Sequence, residues 1–230
     1  MRRAFEAISP LALEQRFEDW MSVTCPAVKG RGIAIDGKVL RGSGRSERGL
    51  RALHQVSAYA AEYGLTLGQR TCAEKSNEIT AIEELLPSLA LEGAVVTIDA
   101  IGCQSAIAKQ ITAGGGDYVL VVKDNQPQLA EALRHFFSTL NAPGHCQRQV
   151  SLHETLDKCH GRIETRRCTA VGELDWLELL GLRARWSKLA SVACIESTRE
   201  IAGRVETEKR YVITSLSADS RRILHAVRSH

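Results

Sequence analysis

Short apolar runs, each closed by a polar residue and a glycine or proline, divide most of the chain into alternating strands and helices. The plainest is Ala94-Val95-Val96-Thr97-Ile98, a β-branched run of the kind buried on both faces of a sheet. It ends in Asp99, followed by Gly102 and a helix-forming segment. The same order appears earlier, where Gly32-Ile33-Ala34-Ile35 leads into Asp36 and Gly37. Residues 51–60 and 65–73, separated by Glu62-Tyr63-Gly64, predict a hairpin, so the first three strands are expected to run antiparallel. A helix begins at Ser76-Asn77-Glu78, with Ser76 as its cap and Glu78 near its positive end. Ile79, Ile82, Leu85 and Leu86 form its buried stripe, and Pro87 limits it.

After the central strand, residues 104–113 predict a second helix stopped by Gly114-Gly115-Gly116, and 118–122 another buried strand. Asn125-Gln126-Pro127 starts a third helix, with Asn125 as a cap and Pro127 near its first turn. Ahead of all this, the apolar positions of residues 3–21 predict a helix end, a turn at Ser9-Pro10 and a second helix from about 11 to 21. Past residue 141 the pattern becomes extended near 147–156, 162–171, 191–201 and 205–215, with a Trp- and Leu-rich stretch between Trp176 and Trp186. A last helix starts near Ser220, with Ile223, Leu224 and Val227 on its apolar face.

Strand–strand–strand–helix–strand–helix–strand–helix is the order of a ribonuclease H-like fold: a mixed five-stranded sheet with flanking helices, here with an inserted mainly-β region. The expected divisions are an N-terminal helical segment over 1–30, the core over 31–140, the inserted region over 141–216 and the start of a C-terminal core helix over 217–230. In that topology the first and fourth strands are neighbours, so Asp36 and Asp99 face each other at one sheet edge. Two such carboxylates repel unless a divalent cation, Mg²⁺ or Mn²⁺, lies between them. Two metal ions about 4 Å apart would activate water or a 3′-hydroxyl and stabilise the leaving oxygen of a phosphodiester. The competing reading makes both aspartates strand-end turn residues.

Composition narrows the class without naming it. The chain has 230 residues, 44% hydrophobic and 25% charged, with a formal net charge of +3, ordinary for a globular protein and mildly basic. That permits nucleic-acid binding without demonstrating it. Seven scattered cysteines form no C-x-x-C pair and are expected to be reduced and mostly buried. No secretory signal opens the chain and no apolar stretch reaches the ~18 residues of a membrane span. The expected location is therefore the cytoplasm, with no membrane partner. A zinc site built from His145, Cys146, His153, Cys159 and His160 fits no common spacing. Trp176 and Trp186 could stack on bases, but packing is the favoured reading.

The strings I-A-I-D-G-K-x-L-R-G-S (33–43), K-S-N-E-I (75–79), V-T-I-D-A-x-G-C-Q (96–104), Y-V-L-x-V-K-D-N-Q (118–126) and H-G-R-I-E-T-R (160–166) resemble the DDE-type insertion-sequence transposases of the H-repeat-associated family. The resemblance implies transposase-type cleavage and strand transfer at transposon ends, using Mg²⁺ held by two Asp and one Glu. Asp36 and Asp99 match the first two acids. The third acid lies in a W-x-I-E motif past the helix beginning near Ser220, and this chain ends at His230. It is expected to be shortened at both ends and, because the third acid is missing, to be inactive. Two alternatives follow: a catalytically dead DNA-binding remnant, and a metal-dependent nuclease that uses Glu164 in place of the missing acid.

Alternation along a strand puts Arg162, Glu164 and Arg166 on one face. Glu164 is then either a metal ligand or, the favoured reading, the partner of its arginine neighbours. Arg162 and Arg166 are candidate phosphate contacts, as are Lys38 and Arg41, close behind Asp36, and Lys123 at the end of the fifth strand. The expected partners are DNA and a second copy of the chain, with no small-molecule cofactor.

Overall fold

The computed structural model describes residues 8–24, 32–40, 43, 52–72, 78–140, 148–159, 162–201 and 204–228. Arg41, Ser76, His145, Cys146, His160 and most of the 41–49 loop lie outside the described residues. Strand β1 (Gly32–Val39) is followed by the hairpin β2 (His54–Ala60) and β3 (Leu65–Cys72), after the helix α1 (Pro10–Thr24). Helix α2 (Glu78–Leu85), β4 (Val95–Ile98), α3 (Ser105–Ala113), β5 (Asp117–Val122) and α4 (Pro127–Thr139) complete the alternation read from the apolar runs. Then come β6 (Val150–Cys159), β7 (Arg162–Val171), the short helix α5 (Asp175–Leu179), β8 (Ser191–Ile201), β9 (Arg204–Thr214) and α6 (Ser220–Arg228).

The nine strands among the described residues form one sheet in the order β3-β2-β1-β4-β5-β9-β8-β7-β6. The sequence predicts a five-stranded core sheet with an inserted mainly-β region. That region joins the core sheet at the edge of β5, where β9 pairs with it, antiparallel, with Val119 opposite Thr214 and Val122 opposite Tyr211. Side chains fasten this junction: Thr214 Oγ1 donates to the Tyr118 carbonyl, and the Ser215 hydroxyl accepts from the Tyr118 N–H at 3.0 Å. An unpaired β5 edge would leave a row of backbone donors and acceptors without partners.

Period-two alternation sets the two layers. Val96, Ile98, Tyr118, Leu120 and Val122 point to the face covered by α2, α3 and α4, with Ile82, Leu85, Ile107, Ile111 and Leu133 packed against them. Val95, Val119, Ala170, Ala193 and Val212 point to the other face, under Ile223, Leu224 and Ala226 of α6. Trp186 is buried, and Trp176 stacks on Phe136 with centroids 4.3 Å apart, so both tryptophans pack inside the protein. Cys72, Cys103, Cys168 and Cys194 are buried free thiols, and burial pushes those of Cys103 and Cys168 up to about 12. No helix among the described residues is long and apolar enough to cross a membrane.

Tyr118 is fully buried and its hydroxyl has no hydrogen-bond partner among the described residues. Burial, then the charges of Cys103 and Asp117, raise its pKa, so it stays neutral. An unpaired hydroxyl in a core costs its desolvation and returns nothing. Tyr118→Phe is expected to raise stability by about 1 kcal/mol in urea unfolding at an unchanged m-value; a loss of stability would show that the hydroxyl is paired.

Candidate functional site

Strands β1 and β4 are parallel neighbours, with Ile33 opposite Val96 and Ile35 opposite Ile98. Asp36 and Asp99 are the next residue on each, so the pairing itself brings two carboxylates to the carboxyl edge of the sheet. Strand spacing in a sheet is about 4.8 Å. Both line a cavity of about 100 Å³ with Ile35, Gly37, Val56, Glu78, Ile82, Ile98 and Ile101. A larger cavity of about 650 Å³, lined by Phe137, Leu152, Arg167, Lys209 and Tyr211 among others, lies on the β6–β9 half. It holds neither aspartate, so size does not point to the chemistry here.

Asp99 leaves β4 as the cap of a single 3₁₀ turn, Ala100–Gly102, and its Oδ1 accepts the Ile101 N–H at 2.7 Å. Asp36 remains inside β1, and its Oδ2 lies 3.2 Å from Lys38 Nζ, two residues on and on the same face of the strand. Lys123 follows the last residue of β5 and is exposed. Asn125 and Gln126 have a different task from helix capping. The Asn125 amide donates to the Ala100 carbonyl, and Gln126 Nε2 donates to the Cys103 carbonyl at 3.0 Å. These two bonds tie the β5–α4 loop to both ends of the turn that carries Asp99. Gln126, not Asn125, is the residue at the helix cap, and it makes no side-chain capping bond.

Glu164 is not brought to this cavity. It lies on β7, four strand steps from β4 through β5, β9 and β8, which is about 19 Å across a sheet. Its row, Glu164–Arg199–Glu206, also runs beyond the end of β5. There its buried carboxylate meets Arg162, Arg166 (2.8 Å) and Arg199 (3.0 Å). Burial raises its pKa, but hydrogen bonds from Arg199 and Arg162 and the charges of Arg166 and Arg199 pull it below the usual carboxylate value. The favoured reading of the sequence, an arginine-paired glutamate, describes this cluster. Arg162 and Arg166 are both paired with Glu164, Arg166 also reaching Asp157 at 2.8 Å.

Glu78 is what the sequence reading missed as a site residue. It is the first residue of α2, its side chain is 8% exposed, and His54 Nδ1 is 3.5 Å from Oε1. A Cβ added at Gly37 would stand 2.9 Å from the Glu78 carboxyl carbon and 3.0 Å from each oxygen. That contact is a physical reason for glycine behind Asp36. The signal lies in K-S-N-E-I, where a charge at a helix start is by itself a sufficient local account of the glutamate. Among the described residues no three His, Cys, Asp or Glu side chains stand close enough to hold a metal ion as they are. Asp99 is turned back on its own turn and Asp36 toward Lys38, which accounts for that.

The family model described as "Transposase DDE domain" matches residues 28–220. The chain belongs to the DDE transposase family. That membership implies the ribonuclease H-like fold, seen here as a mixed α/β architecture with one large sheet and helices on both faces, and DDE transposase domains generally use divalent metals. Over 220 residues this transposase domain is 44% identical to an uncharacterized protein in the dhlA 3′ region of Xanthobacter autotrophicus, covering 94% of this chain and 71% of that one. Over 234 residues it is 36% identical to the "H repeat-associated putative transposase YhhI" of Escherichia coli K12, covering 99% of this chain. The chain spans 60% of the length of that relative. A solved sugar N-methyltransferase from Streptoalloteichus aligns over 59% of this chain and 46% of that one at 13% identity, and its TM-score of 0.23 carries no argument about the transposase domain.

Proposed function

We propose that this chain binds DNA and performs metal-dependent phosphodiester chemistry on it, cutting at transposon ends and joining the freed 3′ end to a new strand. The observation that carries the reading is the adjacency of Asp36 and Asp99 at the carboxyl edge of two paired parallel strands, lining one cavity. The residues fit a divalent cation: two carboxylates with hard oxygen donors line one small space beside Gly37. A bound Mg²⁺ or Mn²⁺ would be held by Asp36 and Asp99, polarising the phosphoryl oxygens and lowering the pKa of water.

The chain's own residues do the rest. The 3₁₀ turn, pinned by Asn125 and Gln126, presents Asp99 in a fixed place. Lys38 and Lys123 are exposed, Lys38 on β1 and Lys123 just past β5, where ammonium groups can position a phosphate backbone without reading its sequence. In hydrolysis a water oxygen bonds to phosphorus as the P–O3′ bond breaks, leaving a 3′-hydroxyl and a 5′-phosphate. In strand transfer the oxygen of that 3′-hydroxyl loses its proton and bonds to the phosphorus of a second phosphodiester as the P–O3′ bond there breaks, and the departing oxygen takes up a proton to leave a new 3′-hydroxyl. A second reading, DNA binding without cleavage, is favoured by one observation: no three ligating side chains converge among the described residues.

A nicking assay on supercoiled plasmid separates the two. With Mg²⁺ or Mn²⁺ the chain is expected to convert plasmid to nicked circles, and Asp99→Asn to slow this about 100-fold or more, the size of a lost metal contribution of several kcal/mol. DNA bound with a steep salt dependence but never cut with either metal establishes the binding-only reading.

A further inference from the structure

We infer that Glu78 is a third carboxylate ligand of the divalent-cation site, reaching it from helix α2 across the cavity from Asp36 and Asp99. The inference rests on the metal-dependent reading above and adds a residue that the two strand-end aspartates do not imply. Helix α2 buries Glu78, Ala81, Ile82 and Leu85, spaced i, i+3, i+4 and i+7. That is the core-facing stripe of an amphipathic helix, so a glutamate stands where the pattern calls for an apolar side chain. A charge at the positive end of a helix gains only about 0.3–1 kcal/mol when exposed, and an exposed Glu78 would gain it equally. The helix end therefore does not explain burial.

Burying an ionised carboxylate is costly unless it is paired. The side chain is 8% exposed, and its cavity wall is otherwise Ile35, Val56, Ile82, Ile98 and Ile101 beside the two aspartates. Its ion-pair partner among the described residues is His54 Nδ1, at 3.5 Å, and that nitrogen makes no hydrogen bond there. The carboxylate lies over the backbone of Gly37, in space that any other residue's Cβ would take. Asp36 and Asp99 add like charge on the same cavity, which a monovalent neighbour such as Lys38, 77% exposed at its side chain, balances poorly. Three carboxylates around about 100 Å³ make a donor set for a hard divalent cation. Binding would draw Asp36 away from Lys38, a surface contact of little worth, and use the Asp99 oxygen not committed to Ile101.

Mn²⁺ binding to the intact chain, followed by electron paramagnetic resonance, tests this without DNA or turnover. Wild type is expected to bind Mn²⁺, Asp99→Asn to lose it, and Glu78→Gln to bind about tenfold or more weakly, as fewer ligand charges lower affinity. Glu78→Gln binding as tightly as wild type, while Asp99→Asn does not bind, overturns the inference and leaves the proposed function standing. No Mn²⁺ binding by wild type overturns both. Should Glu78→Gln fail to fold, Fe²⁺-directed hydroxyl-radical cleavage of the wild-type backbone decides. Cuts near residues 36, 78 and 99 are expected; cuts near 36 and 99 alone overturn it.

Discussion

Gly102→Ala is expected to cost the fold about 3 kcal/mol and to disturb the position of Asp99 in the same stroke. A Cβ at residue 102 would stand 2.3 Å from Ile98 Cγ2, 3.3 Å from Ile98 Cβ and 3.2 Å from Ile82 Cδ1. Both isoleucines are 2% exposed, so neither side chain has open space to retreat into. Ile98 is also β-branched, with a stiff first torsion. The relief must come from the backbone of the 3₁₀ turn, which begins at Asp99 and is tied down by Asn125 and Gln126. Gly172→Ala is the control, because its Cβ would meet Ala218 at 3.5 Å and the Ala190 carbonyl at 3.7 Å, ordinary contact distances. It is expected to cost less than about 1 kcal/mol. Urea unfolding of the two variants checks this. A Gly102→Ala protein within about 0.5 kcal/mol of wild type would mean that the turn is softer than its packing implies.

The contrast between these two glycines shows what the sequence could carry. The string Ile98-Asp99-Ala100-Ile101-Gly102 announces a strand, a carboxylate and a turn, because strand and turn propensities are local. That Gly102 lies against Ile82 depends on how α2 packs on the sheet, and no local pattern encodes it. The same limit explains Glu78. Its place at a helix start was legible, but its burial depends on how α2 packs on the sheet, which sets its carboxylate against Gly37. Asp36 and Asp99 were legible as neighbours because strand order alone pairs β1 with β4.

Past residue 141 the four extended segments were visible as strands, while their attachment to β5 was not. Val119 and Thr214 are paired across almost the whole core, and a β-rich composition does not specify which edge it will join. Glu164 follows the same rule. Alternation put it on one face with Arg162 and Arg166, and the structure keeps that grouping. Only the order of strands across the sheet reveals that the group sits far from Asp99.

Glu164→Gln is expected to cost about 2 kcal/mol at neutral pH, with no effect on Mn²⁺ affinity. Removing one partner from a buried ion pair typically costs about 3–5 kcal/mol. Here the loss is smaller because Arg162 and Arg199 are each 40% exposed at their side chains and keep much of their hydration. Arg166, 22% exposed, retains Asp157 at 2.8 Å. What remains is three guanidinium groups around a neutral amide.

The pH dependence follows from the direction of the shift. The folded pKa of Glu164 lies below its ordinary value, so its ionised form is favoured by folding. The stability it supplies is present above the unfolded value, about 4.3, and is lost as pH falls through the lower folded value. The gap between wild type and Glu164→Gln should hold from neutral pH down to about 5 and close below about 4. Thermal unfolding across that range reads the gap directly. A gap that widens in acid would require the carboxyl to be held protonated, which three arginines at hydrogen-bonding distance oppose. If Glu164→Gln instead abolished Mn²⁺ binding with its fold intact, the separation of four strands would not insulate the metal site. Glu164 would then act on the metal site across that separation.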